Sequence, residues 1–405
     1  MNRGTGARPF PGAAAGPFRI LHTADWHLGR TLLQVSLLPD QRHLLEESLL
    51  PLVREARPDL VVIAGDIFDR AVPSPEAVRL LDDTLTELAL GTGVPVLAIS
   101  GNHDSEGRIR YASRILSRAG LTVAGGLEGE LAPMLFPRHE VAVVPLPYFE
   151  PAQAAAWLGV AGPLGPPEAM RGVLKRLAAR VPRGWRRVLV GHCFVQGGSA
   201  TDSERPLPGA GLEVGGAGLL PAGVFAGWDL VLLGHLHRPQ RIGTAPVHYA
   251  GSLLKYSFSE ADHVKGVTLH TLGEDEVTSE RIALVPRHDL RVVRVGEGER
   301  LEEVAARDGC REDYVRIEYH GQPIPMERLR EHYPNVLEPW RVVEEGDSGA
   351  ATVATLREVR EKGLEDLFGD FLAHVGGEAL ALTEARRAAL RQALAEIDAA
   401  SREAL

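Results

Sequence analysis

The sequence predicts an α/β protein whose parallel strands converge on a metal site, and two observations predict it. Apolar runs alternate with amphipathic stretches of helical period up to about residue 121, the order that gives parallel strands joined by crossover helices. Apolar runs also end repeatedly in Asp, Asn or His. Residues 18–21 lead to Asp25-Trp26-His27, and 60–64 to Gly65-Asp66-Ile67-Phe68-Asp69. Residues 94–100 lead to Gly101-Asn102-His103-Asp104, 188–190 to Gly191-His192, and 230–233 to Gly234-His235-Leu236-His237. Ligands of such sheets collect beyond the carboxyl ends of the strands, so the tips are expected together at one edge of a sheet.

Taken in order, residues 1–17 are rich in Gly, Ala and Pro and lack the apolar core of a signal peptide, so a disordered leader is expected. Residues 41–57 read as a helix with Leu44, Leu45, Ser48, Leu49 and Leu52 on one face. Residues 75–90 read as a second, with Pro75 in its first turn and Val78, Leu81, Leu85 and Leu88 buried. Short strands are expected over 121–148, a loop over 159–167 and a helix over 168–180. The glycine-rich stretch 197–223 carries Asp202-Ser203-Glu204-Arg205, whose default reading is a solvated loop; loops of this length are usually functional or mobile. Strands return over 246–284.

Near Pro286 the composition shifts. Strands at 290–295 and 314–319 and helices at 300–307 and 326–333 suggest a small α/β module of about 60 residues, near the lower limit for independent stability. Its arginines are interleaved with acids and form no basic stripe. A linker follows, then a helical tail. Leu364, Leu367, Phe368, Phe371, Leu372 and Val375 recur at helical spacing before Gly376-Gly377. Thr383 caps a second helix with Leu390, Ala393, Leu394 and Ile397 on one face. Such terminal helices dock on their own domain or bind a partner.

An apolar fraction of 44% and a charged fraction of 24% are those of an ordinary soluble globular protein. The net charge of -10 argues against binding nucleic acid through bulk charge, though not against a local basic groove. Cys193 and Cys310 are too far apart in sequence for a zinc-type spacing. No segment has the length of a membrane span, and a cytoplasmic compartment is the expectation.

Asp25 and His27, like His235 and His237, are two residues apart, a spacing that points both side chains to one side of an extended chain. With Asp66, Asn102 and His192 they give seven oxygen or nitrogen ligands. These are too many for one four-coordinate zinc. They suit a pair of divalent ions such as Mn²⁺, Fe²⁺ or Zn²⁺, with Asp66 as the natural bridge. His103 is assigned to the phosphate, as a proton donor or charge stabiliser, with Asp104 expected to hold its imidazole. Asp69 stands between a functional role and a loop cap. His22, His43, His139, His248 and His288 are read as packed or surface residues.

Together these motifs resemble the calcineurin-like metallophosphoesterases, and within them the SbcD-type DNA-repair nucleases. Asp25-Trp26-His27-Leu28-Gly29 is similar to that branch. So are Pro147-Tyr148-Phe149-Glu150-Pro151, Asp202-Ser203-Glu204-Arg205 with Val214-Gly215-Gly216, and Gly251-Ser252 followed by Ser257-Phe258. The resemblance is strong over residues 18–287 and looser beyond. It implies a four-layer αββα sandwich (18–285), a DNA-binding cap (286–345), a linker (346–362) and a helical tail (363–405) that holds the SMC-like ATPase SbcC. It implies one metal position from Asp25, His27, Asp66 and His237, and a second from Asp66, Asn102, His192 and His235, with His103 as the catalytic histidine. It further implies two Mn²⁺ ions, a homodimer, and 3′→5′ exonuclease and hairpin or single-strand endonuclease action on DNA. A phosphatase or cyclic-nucleotide phosphodiesterase is the alternative. Protein phosphatases of the superfamily read Gly-Asn-His-Glu and Gly-Asp-x-x-Asp-Arg-Gly, and Asp104 and Ala71 depart from that. A metal-free scaffold is disfavoured because every ligand position is filled.

Overall fold

Alternation along doubly buried strands decides the layering. In β1 (Phe18–Thr23) and β2 (Leu60–Ala64) all residues but Arg19 are buried. Phe18, Ile20, Leu60, Val62 and Ala64 join one apolar cluster and Leu21, Val61 and Ile63 another. Strands covered on both faces need such continuous apolar runs. Here one face meets a second sheet and the other meets helices.

The computed structural model describes residues 16–127, 131–204, 219–342 and 383. Nearly all of the expected leader, the linker and the tail lie outside the described residues, as do Arg205 and Val214-Gly215-Gly216. After β1 and β2 come β3 (Val96–Ile99), β4 (Leu121–Ala124), β5 (Met134–Phe136), β6 (Val141–Leu146), β7 (Arg186–His192) and β8 (Leu230–Gly234). Then follow β9 (Gln240–Arg241), β10 (Val247–Tyr249), β11 (Gly266–Leu272) and β12 (Val277–Ala283). One six-stranded sheet has the order β12-β11-β1-β2-β3-β4 and the other β9-β10-β8-β7-β6-β5. The strands β1 to β4 are mutually parallel, as are β6, β7, β8 and β10. The core between the sheets joins Ile20, Val62 and Ile99 of one to Val144, Val190 and Leu232 of the other. Helices Leu38–Ala56 and Pro75–Thr86 cover the outside of the first sheet, and Pro166–Ala178 packs against the second. The result is the expected αββα sandwich.

One expectation needs correction. The five ligand-bearing tips do not lie along a single sheet: those after β1, β2 and β3 belong to the first, those of β7 and β8 to the second. A sequence shows strand ends but not which strands pair.

The helices depart in informative ways. The expected 41–57 helix begins at Leu38 and widens to a π turn over Leu45–Leu49 before Pro51. Proline cannot donate its i→i−4 bond, and the wider turn absorbs that defect. In the next helix Val78 is exposed, and the buried row is Ala77, Leu80, Thr84 and Leu88. The small Ala77 fits a close approach that the Val78 register would not permit: a Cβ on Gly29 would stand 3.3 Å from it. The expected 168–180 helix runs from Pro166 to Ala178.

A third sheet comprises β13 (Leu290–Val295), β14 (Tyr314–Tyr319) and β15 (Val336–Arg341), the last not foreseen. With helices Leu301–Arg307 and Met326–His332 it encloses its own apolar cluster around Val293, Val315, Ile317 and Leu329. Tyr314 and His288 reach the buried Asp40, at 2.9 and 2.7 Å, and Lys255 reaches Asp289 at 2.9 Å, fastening this unit to the sandwich.

Candidate metal centre

The strand tips are tied together before any ligand is considered. Asp25 N donates to Gly65 O at 3.0 Å and His27 N to Asp66 O at 2.9 Å, joining the loops after β1 and β2. His103 N donates to Asp66 Oδ1 at 2.9 Å, adding the loop after β3. Two bonds cross between the sheets: His235 N to Asp25 Oδ1 at 2.8 Å, and the His192 Nδ1–H to Ala64 O at 2.8 Å. This close convergence explains the glycines that precede the ligands. A Cβ on Gly65, whose φ is +88°, would stand 2.3 Å from His192 Nδ1, and one on Gly101 would stand 2.1 Å from Asp66 Oδ1. Asp25, His27, Asp66 and His235 themselves adopt positive φ, at 52°, 44°, 48° and 99°. Each such non-glycine residue costs about 1–3 kcal/mol, a strain that clusters at functional sites.

All seven expected ligands are brought together. Asp25, His27 and His237 form one group of mutually close donor atoms, and Asp25, Asp66 and His192 another. The Nε2 atoms of His27 and His237 face each other at 3.1 Å. On the other side, Asn102 Oδ1 lies 3.0 Å from His192 Nε2 and 3.1 Å from His235 Nδ1. Between the two sides sits Asp66 Oδ2, 3.6 Å from His27 Nε2 and 3.4 Å from His192 Nε2. Its partner oxygen is held by His103 N, which leaves Oδ2 directed inward.

The donor set fits divalent cations. Asp25 Oδ2 and His235 Nε2 are buried without a hydrogen-bond partner, and such orphaned groups are costly unless something binds them. Burial holds His27 and His235 neutral, each pushed down to about 3. Burial raises Asp25 to about 7. It would raise Asp66 too, but the surrounding imidazoles, His192 foremost, hold that carboxyl well below its usual range. Burial opposes a proton on His192, yet Asp66 and Asp25 carry it up to about 9. Loading a cation here releases protons, so affinity rises with pH.

His103 stands at the rim, its side chain 37% exposed and its Nε2 4.0 Å from Asp66 Oδ2. Its Nδ1 bonds to the carbonyl of Asp69 at 3.0 Å. The expectation that Asp104 holds this imidazole is corrected. The Asp104 carboxylate accepts from the backbone N–H groups of Ile67, Phe68 and Gly101, at 3.1, 2.9 and 2.9 Å. It clamps the Asp66 loop onto the His103 loop. Asp69 is more than a loop cap: it accepts from Arg30 at 2.9 Å and lies 3.6 Å from His27 Nδ1.

Other supporting residues were not foreseen. Gln41, buried on the first helix, donates to the carbonyls of Trp26 and His27 and accepts from Gly29 N at 3.0 Å. A glutamine on an otherwise apolar helical face was the only sequence signal. Ser203 and Glu204, from the loop given a solvated reading, reach His237.

The calcineurin-like phosphoesterase family model matches residues 18–239, and that of the type 5 capsule protein repressor C-terminal domain matches 286–375. The SbcD component of the SbcCD nuclease of Staphylococcus epidermidis is 31% identical over 331 residues, 79% of this chain and 84% of that protein. The chain belongs to the SbcD family of calcineurin-like phosphoesterases. The same-named component of the Staphylococcus saprophyticus nuclease is 32% identical over 328 residues, 79% of this chain and 83% of that protein. Among solved structures, a dimetal phosphatase from Danio rerio aligns with a TM-score of 0.44 and 16% identity, over 67% of this chain and 99% of its own. That likeness adds no weight beside the SbcD matches. Membership and donor geometry together make the protein a metal-dependent phosphodiesterase. No helix among the described residues is long and apolar enough to cross a membrane.

Proposed function

We propose that this chain is the Mn²⁺-dependent nuclease subunit of an SbcCD-type complex, degrading duplex DNA 3′→5′ from its ends and cutting hairpins and single strands. The observation that carries the reading is Asp66 Oδ2 seated between two donor sets, in a chain matched over 79% of its length to nuclease subunits. Two bound divalent ions would clamp the scissile phosphodiester and activate a water for in-line attack. Asp25, His27, Asp66 and His237 would hold one, and Asp66, Asn102, His192 and His235 the other.

The chain's own residues do the rest. Asp69 O fixes a proton on His103 Nδ1, so the imidazole presents Nε2 to the phosphate, where the protonated form donates to the leaving oxygen. The Asp104 clamp keeps His103 in register with Asp66. Residues 286–345 serve as the DNA-binding cap, 346–362 as linker, and 363–405 as the grip on the SMC-like ATPase SbcC. A homodimer is supported by large apolar side chains left exposed beside the catalytic loop, Tyr111 at 81% and Ile115 at 72%. A DNA substrate puts the enzyme at the nucleoid, in the cytoplasm.

The test is cleavage of a 3′-labelled duplex and a closed hairpin by purified protein, with Mn²⁺ against Mg²⁺. Manganese-dependent degradation that salt suppresses supports the reading, because contacts to many phosphates release counterions. Turnover of a small phosphodiester with no cleavage of DNA would move the assignment to a phosphatase or cyclic-nucleotide phosphodiesterase.

A further inference from the structure

His237 is held unlike the other imidazoles of the centre. Its backbone N–H donates to Glu204, and its carbonyl accepts from Lys265 Nζ at 2.7 Å and from Ser252 N at 3.2 Å. Its Nδ1 lies 2.6 Å from Ser203 Oγ, which lies 2.6 Å from Glu260 Oε1. Glu260 Oε2 in turn meets Lys265 Nζ at 2.5 Å, and both of these residues are buried.

The hydrogen bonds around Ser203 decide the tautomer of His237. Glu260 Oε1 also accepts from the backbone N–H of Tyr256 at 3.2 Å, and Oε2 accepts from the Lys265 ammonium, so both carboxylate oxygens serve as acceptors. The Ser203 hydroxyl therefore donates to Glu260 Oε1 or to Thr201 Oγ1, 2.8 Å away, whose own proton goes to Glu204 Oε2; either way its lone pair accepts from a proton on His237 Nδ1. A neutral imidazole protonated at Nδ1 carries its lone pair on Nε2, the atom that faces His27 Nε2 at 3.1 Å.

We propose that Ser203 is a positioning residue of the metal centre, a hydroxyl relay that locks His237 in the tautomer whose Nε2 faces the cation and anchors it to the buried Glu260–Lys265 pair. The role rests on the two-ion reading of the centre and assigns a task to the Asp202-Ser203-Glu204 loop. His192 gets the same service from a backbone carbonyl, Ala64 O. For His237 it comes from a loop that substitution can disable.

The test is equilibrium Mn²⁺ binding to the full-length protein, read from the electron paramagnetic resonance signal of free Mn²⁺. Wild type is compared with Ser203→Ala, Ser203→Thr and Ser257→Ala. Ser257 also bonds Glu260 Oε1, at 3.0 Å, and so controls for loss of a hydrogen bond to that carboxylate. Wild type should take two ions. Ser203→Ala should weaken one of them by about 10–100-fold and leave the other unchanged, the usual effect of removing an outer-shell partner. Ser203→Thr, which keeps the hydroxyl, and Ser257→Ala should both bind as wild type does. If Ser203→Ala fails to fold, Ser203→Cys, a weaker donor and acceptor, should bind one ion more weakly than wild type and the other unchanged, and two unchanged sites there would sink the relay. Two unchanged sites in Ser203→Ala, or equal weakening in Ser257→Ala, would sink the relay while leaving the two-ion centre intact. A wild-type protein that takes up no Mn²⁺ would overturn the two-ion reading itself, and the relay with it.

Discussion

The metal centre and the small three-stranded sheet are rich in charge in opposite ways. At the centre, donors outnumber partners: Asp25 Oδ2 and His235 Nε2 are buried and unpaired, and Asp66 Oδ2 faces the imidazoles of His27, His192 and His103. In the small sheet, arginines are matched to acids of the same unit. Arg291 pairs with Asp308 and Asp313, Arg294 with Glu318, Arg307 with Glu299, and Arg328 with Glu302. Arg316 meets Glu338 while its guanidinium lies over the rings of Phe258 and Trp340. A local excess of donors awaits a ligand; a local balance is structure. The difference teaches where to look for chemistry in a chain with this much charge.

The sharpest way to break the comparison is Asp66→Ala. Because one oxygen faces both donor sets, this change should cost both ions and lower phosphodiester turnover by roughly 10³-fold or more. Metal content after desalting checks it. Retention of one tightly held ion would mean that the two sets are independent. His103→Ser comes next. Turnover should fall by about 10²–10⁴-fold with two ions still bound, because its imidazole stands at the rim and its backbone N–H, the part that holds Asp66, survives the change. Loss of an ion in that variant would show His103 to be a ligand.

The same comparison explains what the sequence made legible. Asp25, His27, Asp66, Asn102, His192, His235 and His237 were readable because a dense junction needs glycine before most of its polar tips, and Gly-Asp, Gly-Asn-His and Gly-His survive as short local words. Ser203 was not readable. The Asp202-Ser203-Glu204-Arg205 motif marked its loop but not its task, because its partner His237 is 34 positions away and Glu260 57. The division of the tips between two sheets was hidden for the same reason, since pairing is long-range. The Asp104 error has another source: adjacency to His103 suggested a contact, but its side chain turns back to three backbone amides, those of Ile67, Phe68 and Gly101. In the small sheet the strands 290–295 and 314–319 follow from alternation, while β15, with Pro339 and three exposed residues at its end, carries a weak pattern.

On the balanced side, Arg291→Ala should act on stability alone. Arg291 bonds Asp313 at 2.6 Å, Asp308 at 3.1 Å and the carbonyl of Cys310, so its loss takes the guanidinium from two carboxylates in the loop between helix Leu301–Arg307 and β14. A loss of about 1–3 kcal/mol is expected from urea unfolding, with Mn²⁺ stoichiometry unchanged. A variant that loses ions would show that the small sheet and the centre are coupled.

The smallest effect sharpens the comparison within a single residue type. His22 and His270 lie in the interior beside each other, ring centroids 5.6 Å apart, with no carboxylate to share a proton, and His22 shows both ring nitrogens unpartnered. Unlike the centre's imidazoles they converge on no donor set, so they are packing residues held neutral. Burial, with His248 nearby, lowers His270 from 6.5 to about 3. Its folded value lies below its unfolded one, so above about pH 6.5 it has no effect on stability. As the pH falls from there toward 3, the unfolded chain takes up a proton that the native state refuses, and stability drops by up to about 1.4 kcal/mol per pH unit. His270→Gln removes that contribution. Urea midpoints measured in chelator at pH 7, 6 and 5 should therefore fall less steeply for the variant than for wild type. Parallel curves would mean that His270 accepts a proton in the native protein, and that the interior between the sheets near this edge is wet.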